Sequence, residues 1–382
     1  MKKTLHEHLD PQNGPKRILS LDGGGIRGAL TLGYLKKIET ILRAKENDPD
    51  LLLCDYFDLI GGTSTGSIIA AALAIGKSVD EIAALYMKLG GEIFGQKKKW
   101  YNPLQTWQFL KASYDYKALE DNLKAIFGTM TLESDQIKTG LCIVAKRADT
   151  NSTWPLINHP KGKFFNTQLG KNKNIPIWQA VRASSAAPTY FVPQMIDVGD
   201  GQKAAFVDGG VSPANNPALT LLMVATLKGF PFHWQMSAEN LSIVSVGTGY
   251  SIFKKQIGEI TNAWIKTWAE SVPDMLMQDA SWQNQIMLQW LSDSPTANYV
   301  DMEIEYLKDD YIGMKPQLKY LRYNFPITEN ELNSLKISDT SFTEKDVESL
   351  VEMSNAGNRE ILYKIGKAAG EREIKDEHFN YL

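Results

Sequence analysis

The sequence predicts an α/β protein, a three-layer α/β/α sandwich on a mostly parallel sheet with a helical C-terminal elaboration. Three observations carry this. Stretches with strand character alternate with helical stretches from residue 17 to residue 250, the order that builds a parallel sheet covered by helices. Leu141-Cys142-Ile143-Val144-Ala145 and Leu241-Ser242-Ile243-Val244-Ser245-Val246 are nearly unbroken apolar runs, as expected of strands buried on both faces. Several of the strands run straight into glycine-rich turns.

With 382 residues, 43% of them hydrophobic, the chain can bury a large core. A net charge of -3 gives it no global attraction for a nucleic acid polymer. Cys54 and Cys142 both sit in apolar runs and are expected to be buried free thiols in a reducing compartment. Met1 to Gly14 is polar, without the apolar core of a signal peptide, and no run of eighteen apolar residues occurs. A cytoplasmic protein is therefore expected.

Residues 1–16 form a lead-in broken by Pro11, Gly14 and Pro15. Residues 17–250 are expected to form the main α/β domain, and 251–382 a C-terminal lid or helical elaboration packed on the same domain. Arg17–Leu21 is a strand, followed by Asp22-Gly23-Gly24-Gly25-Ile26-Arg27-Gly28 and an amphipathic helix over 29–44. The glycines expose backbone N–H groups at a helix N-terminus, where an anion can settle. They do not form a P-loop. Gly23 to Gly28 does fit G-x-G-x-x-G, but Asp48, Asp50 and Asp55, the acids about 20 residues on, close no recognisable strand, which weighs against a dinucleotide fold.

Tyr56-Phe57-Asp58-Leu59-Ile60 is a second strand. It enters Gly62-Thr63-Ser64-Thr65-Gly66, and a small-residue helix leaves from Ile68 to Ile75. Strand, G-x-S-x-G and helix is the context of a nucleophile elbow. A helix over 79–89 ends at Gly90-Gly91. Lys97-Lys98-Lys99 beside Trp100, Tyr101 and Trp107 is either a solvated loop or a patch that settles on anionic lipid headgroups. Helices are expected over 116–127, 177–185 and 218–228, with strands at 191–192 and 204–207. Beyond Tyr250, Trp264, Trp268, Val272 and Leu276, then Trp282, Ile286 and Trp290, recur at helical spacing. Core is the expected role of these stripes, and a lid or lipid-facing surface the alternative. A β-rich return over 297–326 and two or three polar helices over 328–382 complete the chain.

Ser64 needs a base to act as a nucleophile. The five histidines are His6, His8, His159, His233 and His378, and of the later ones neither His233 nor His378 stands at a glycine-rich strand end. Asp208 does: it closes Ala204-Ala205-Phe206-Val207 and opens Gly209-Gly210, so its carboxylate should reach Ser64, with a pKa raised by its apolar neighbours. Gly23, Gly24 and Gly25 would supply the oxyanion hole. Arg27 adds a charge that could contact an anion or serve packing.

These blocks, Asp22 to Gly28, Gly62 to Gly66 and Asp208-Gly209-Gly210, resemble in content and order the signature of the patatin-like phospholipases. Ala183-Ser184-Ser185-Ala186-Ala187-Pro188-Thr189-Tyr190-Phe191 and Asn215-Asn216-Pro217 also match that pattern. The resemblance implies a patatin-like sandwich and a calcium-independent lipid acyl hydrolase with a Ser64–Asp208 dyad, no cofactor and no metal. Its substrate would be membrane phospholipid, met at the inner face of the membrane. A looser similarity links the chain to bacterial effectors of antiphage signalling that are switched on by a cyclic di- or oligonucleotide, though no motif marks a nucleotide site. A homodimer stays open, as do two rivals: a Ser–His–Asp carboxylesterase using His233 or His378, and a nucleotide-sensing protein with little hydrolysis.

Overall fold

The computed structural model describes residues 2–94, 116–188, 190–199, 201–252, 257–261, 264–337 and 341–381. The basic-aromatic stretch from Lys97 to Trp107 lies outside them. In chain order the helices are α1 (Leu5–Leu9), α2 (Gly28–Lys45), α3 (Leu53–Tyr56), α4 (Thr65–Ala74), α5 (Val79–Phe94), α6 (Tyr116–Phe127), α7 (Ile177–Ser184), α8 (Ala218–Thr226), α9 (Ile257–Thr261), α10 (Ile265–Trp290), α11 (Glu329–Ser334), α12 (Glu344–Val351), α13 (Arg359–Glu373) and α14 (Asp376–Tyr381). The strands are β1 (Lys16–Leu21), β2 (Leu59–Thr63), β3 (Gly140–Arg147), β4 (Ser152–Ile157), β5 (Gln194–Asp197), β6 (Lys203–Asp208), β7 (Leu241–Val246) and β8 (Lys319–Tyr323).

The eight strands among the described residues join one sheet in the order β5-β6-β3-β2-β1-β7-β8, with β4 also on β3. The pairs from β3 through β2, β1 and β7 to β8 are parallel, while β4, β5 and β6 pair antiparallel. Successive strand residues point to opposite faces, and two cores result. Leu19, Leu21, Ile60, Leu141 and Ile143 face one core, under α2, α4 and α13. Ile18, Leu59, Cys142 and Val144 face the other, with α8 and the end of α10. The three-layer sandwich expected from the sequence is present.

The C-terminal part is built into this sandwich. β8 extends the sheet beside β7, and α13 lies on α2 at a glycine crossing. A Cβ on Gly33 would strike the backbone of Gly366, and one on Gly366 the backbone of Leu30. The lead-in is docked as well: His8 on α1 is buried and its Nδ1 lies 2.9 Å from Asp58 Oδ1.

Several expectations need correction. The second strand begins at Leu59, because Leu53–Tyr56 closes a helical turn capped by Asp55, and it carries Gly61 and Gly62 within it. Gly90-Gly91 does not stop α5, which runs on to Phe94. The strand sought at 191–192 lies at Gln194–Asp197, and β4, with Pro155 inside it, was not foreseen. Of the β-rich return only β8 forms. The first tryptophan stripe is not core: Trp264 is 82% and Leu276 63% exposed, with Trp268 and Val272 exposed beside them.

Candidate active site

β3 brings the two chemical residues together. Its one edge is taken by β4 over Cys142–Arg147. On the other edge β2 pairs as far as Thr63 opposite Val144, and β6 takes over with Asp208 opposite Ala145. β2 and the antiparallel β6 therefore meet head-on, and Ser64 follows one while Asp208 closes the other. Gly209 must be glycine at this junction, since a Cβ there would meet Val144 and Thr63.

Ser64 sits at the N-cap of α4 with φ 53° and ψ -125°. A non-glycine residue in that region is strained by about 1–3 kcal/mol and persists only where its surroundings force it. The forcing is visible. A Cβ on Gly62 would strike Gly66, and one on Gly66 would strike the carbonyls of Leu21 and Asp22, so both glycines of the elbow are needed to close the turn. The Ser64 N–H donates to Ser184 Oγ at 2.9 Å, and Ser184 in turn donates to Val144 O at 2.6 Å. The Ser64 hydroxyl donates to Asp208 Oδ2 at 2.6 Å, and the Gly210 N–H donates to Asp208 Oδ1 at 2.7 Å. Burial pushes the Asp208 carboxyl up to about 6, against the opposing pull of these two hydrogen bonds.

The glycine run lies alongside: a Cβ on Gly23 would stand 3.3 Å from the Ser64 Cβ. It is held by named partners. The Gly23 N–H donates to Asn215 O at 2.9 Å, and Thr248 Oγ1 donates to Gly23 O at 3.1 Å. The hydroxyl of the partly buried Tyr86 donates to Gly25 O at 2.5 Å and lies 2.8 Å from Thr65 Oγ1, tying the glycine run to the elbow. The Ile26 N–H donates to Met353 O at 2.9 Å. The N–H of Gly23, expected as an oxyanion donor, is thus already engaged by Asn215 O. Among the described residues no partner engages the N–H of Gly24 or of Gly25, the latter at φ +58°. Arg27 is 8% exposed, and its charge acts on the carboxyl of Asp22.

The histidines lie elsewhere. His159 is packed against Phe232, and burial pushes it down to about 4. His233 Nε2 lies 3.4 Å from Lys228 O, and His378 Nδ1 lies 3.0 Å from Tyr323 Oη. Neither takes part in a hydrogen bond to Ser64 or Asp208. The dinucleotide reading loses its acid: Asp55 caps α3, and Asp48 accepts from the Asp50 N–H. Sequence reasoning missed Tyr86 and Thr248, and gave no role to Ser184 or Asn215. Tyr86 and Thr248 act on backbone atoms from elements other than the glycine run, so no spacing in the sequence announces them.

Residues 19–222 match the family model described as Patatin-like phospholipase. The chain is 36% identical over 224 residues to the cGAMP-activated phospholipase of Vibrio cholerae, covering 56% of this chain and 58% of that protein. It is 33% identical over 240 residues to the cUMP-AMP-activated phospholipase of Escherichia coli, covering 61% and 64% respectively. With Patatin group D-3 of Solanum tuberosum it shares 27% identity over 357 residues, covering 88% of this chain and 82% of that protein. The match thus spans about three fifths of the bacterial relatives' length. The family model covers more than half of the chain's residues and contains the glycine run, the elbow and the Asp208 turn within its bounds, and the chain therefore belongs to the patatin-like phospholipase family.

Proposed function

We propose that this chain is a lipid acyl hydrolase that cleaves acyl esters of membrane glycerophospholipids with Ser64 as nucleophile and Asp208 as base. The observation that carries the reading is the 2.6 Å hydrogen bond from the Ser64 hydroxyl to Asp208 Oδ2, at a strained elbow. Ser64 Oγ attacks the ester carbonyl carbon while its proton passes to Asp208. The carbonyl oxygen gains the negative charge and takes hydrogen bonds from the N–H groups of Gly24 and Gly25. Each such donor typically contributes about 3 kcal/mol to the transition state. As the intermediate collapses, the C–O bond to the lysolipid breaks and Asp208 returns its proton to the leaving oxygen. Water then attacks the acyl-serine, Asp208 takes the water's proton, and Ser64 recovers it as the fatty acid leaves. A carboxyl pushed up to about 6 is ionised at neutral pH yet basic enough to share a proton.

The exposed apolar row of Trp264, at the N-cap of α10, and Trp268, Val272 and Leu276 within it supports contact with the lipid surface that holds the substrate. Two relatives are named as cyclic-nucleotide-activated phospholipases, and we carry that switch over to this chain. The test is mass spectrometry of bacterial lipid extract treated with the wild type and with Ser64→Ala, with and without cGAMP and cUMP-AMP. Free fatty acid and lysolipid should form with the wild type, more so with an activating nucleotide, and not with Ser64→Ala. Nucleotide binding without lipid cleavage would favour a sensor instead.

A further inference from the structure

We propose that Arg322 is a positioning residue for the glycine run, acting through Asp22. The catalytic part of the inference rests on the acyl-hydrolase reading above, and the placement part does not. Arg322 lies on β8, 300 residues from Asp22 and outside the segment 19–222 that the family model matches. Its Nη1 donates to Asp22 Oδ1 at 2.9 Å and its Nη2 to Asp22 Oδ2 at 2.6 Å. Nη1 also donates to Ser245 Oγ at 2.7 Å. The guanidinium side chain is 1% exposed and the carboxylate side chain 5%.

Strand register explains how the contact is possible. Ser20 pairs with Ser245, and Ser245 with Arg322, so the three form one row across β1, β7 and β8. Two serines leave room for the arginine to lie across β7 and reach the residue that follows β1. Asp22 is the last residue with a side chain before three glycines, and its N–H is fixed on Val246 O at 3.1 Å. The glycines have no side chains by which neighbours could fix them, so their N–H groups take their direction from where the chain enters and from the backbone anchors further on. A bidentate fork sets the plane of the carboxylate as well as its distance, which a lysine ammonium cannot do. Stability alone is a poor account of such a pair, because a buried ion pair is often replaceable by apolar residues at no loss. What the pair supplies is a direction for the backbone at the oxyanion loop.

The test uses the full chain in two variants. Arg322→Lys keeps the charge and loses the fork. Arg322→Met combined with Asp22→Asn removes both charges of the pair, so that neither is left without the other. Three readouts are taken: thermal midpoint, amide hydrogen exchange of peptides covering residues 20–28 and 65–74, and kcat and KM for release of fatty acid from phospholipid vesicles. Positioning predicts, in both variants, a near-native midpoint with faster exchange in 20–28 but not in 65–74. It also predicts kcat lower by about 10- to 100-fold at unchanged KM, the signature of a misdirected transition-state contact. Exchange and kcat within about twofold of wild type in both variants would overturn the proposal. So would collapse of the midpoint in both, which would make the pair merely structural. If the wild type itself releases no fatty acid, the hydrolase reading falls, and the exchange data still decide whether Arg322 holds the loop.

Discussion

Replacing Asp208 by Asn should abolish catalysis and, at the same time, stabilise the protein in a pH-dependent way. The carboxyl is pushed from an ordinary value of 3.8 to about 6 by burial. The folded state therefore holds the Asp208 proton more tightly than the unfolded state does. For such a group the favourable contribution is fully present below pH 3.8 and is lost as pH rises through 6. A shift of about 2 units corresponds to about 3 kcal/mol of stability missing above that window. About half of this is already missing at pH 5, so the advantage of the neutral Asn over Asp should grow by about 1–2 kcal/mol between pH 5 and pH 8. At about 2.1 cal/mol/K of unfolding entropy per residue, a chain of this length should show a widening of about 2 °C in Tm. Differential scanning calorimetry of both proteins at pH 5, 6, 7 and 8 measures it, and a fluorophosphonate probe confirms the loss of Ser64 reactivity. A gap that stays constant or narrows as pH rises would refute the argument that a buried, destabilised carboxylate is the base.

The same titration governs rate: hydrolysis should fall about tenfold per pH unit below about pH 6 as Asp208 becomes protonated and can no longer accept the serine proton, and a pH–rate profile flat from pH 4.5 to 8 would contradict it. Ser64→Gly should be more stable than Ser64→Ala by about 1 kcal/mol, because both lose the hydroxyl while only glycine relieves the positive φ; urea unfolding of the two inactive variants decides the point. His233→Ala and His378→Ala should each keep fluorophosphonate labelling within about twofold of wild type, since neither ring bonds to Ser64 or Asp208, and loss of labelling in either would revive the Ser–His–Asp esterase.

Much of the fold was legible because its determinants are local. The apolar runs of β3 and β7 and the glycine turns that follow β1 and β7 are short-range signals, and they yielded the three-layer sandwich. The failures have equally physical causes. Tyr56 and Phe57 are apolar enough for a strand, but the Asp55 carboxylate accepting the Leu52 N–H at 2.8 Å favours a helical turn there. Gly90-Gly91 costs a helix about 1 kcal/mol per glycine relative to alanine, which tertiary packing can override. The stripe at Trp264, Trp268, Val272 and Leu276 has a core's periodicity, and periodicity does not say what covers a face. Its exposure was open to the lid or lipid-surface alternative only.

The site divides along the same line. Ser64 and Asp208 were chosen because each stands at the end of a strand beside glycines, and the structure joins them at 2.6 Å. Nothing in the sequence shows that β6 runs antiparallel and meets β2 end to end along β3. The alcohol and the acid of this pair were thus visible in the sequence, but the device that brings them together was not. The same holds for the glycine run. That three glycines bare their N–H groups follows from their composition. Which of those groups stay unengaged depends on Asn215, whose carbonyl takes the Gly23 N–H, and on Thr248, Tyr86 and Met353, which hold the neighbouring backbone from three other places in the chain. A motif can record the residues that touch substrate. The orientation of a loop without side chains depends on residues outside the motif, and on the proposal above these lie as far along the chain as Arg322.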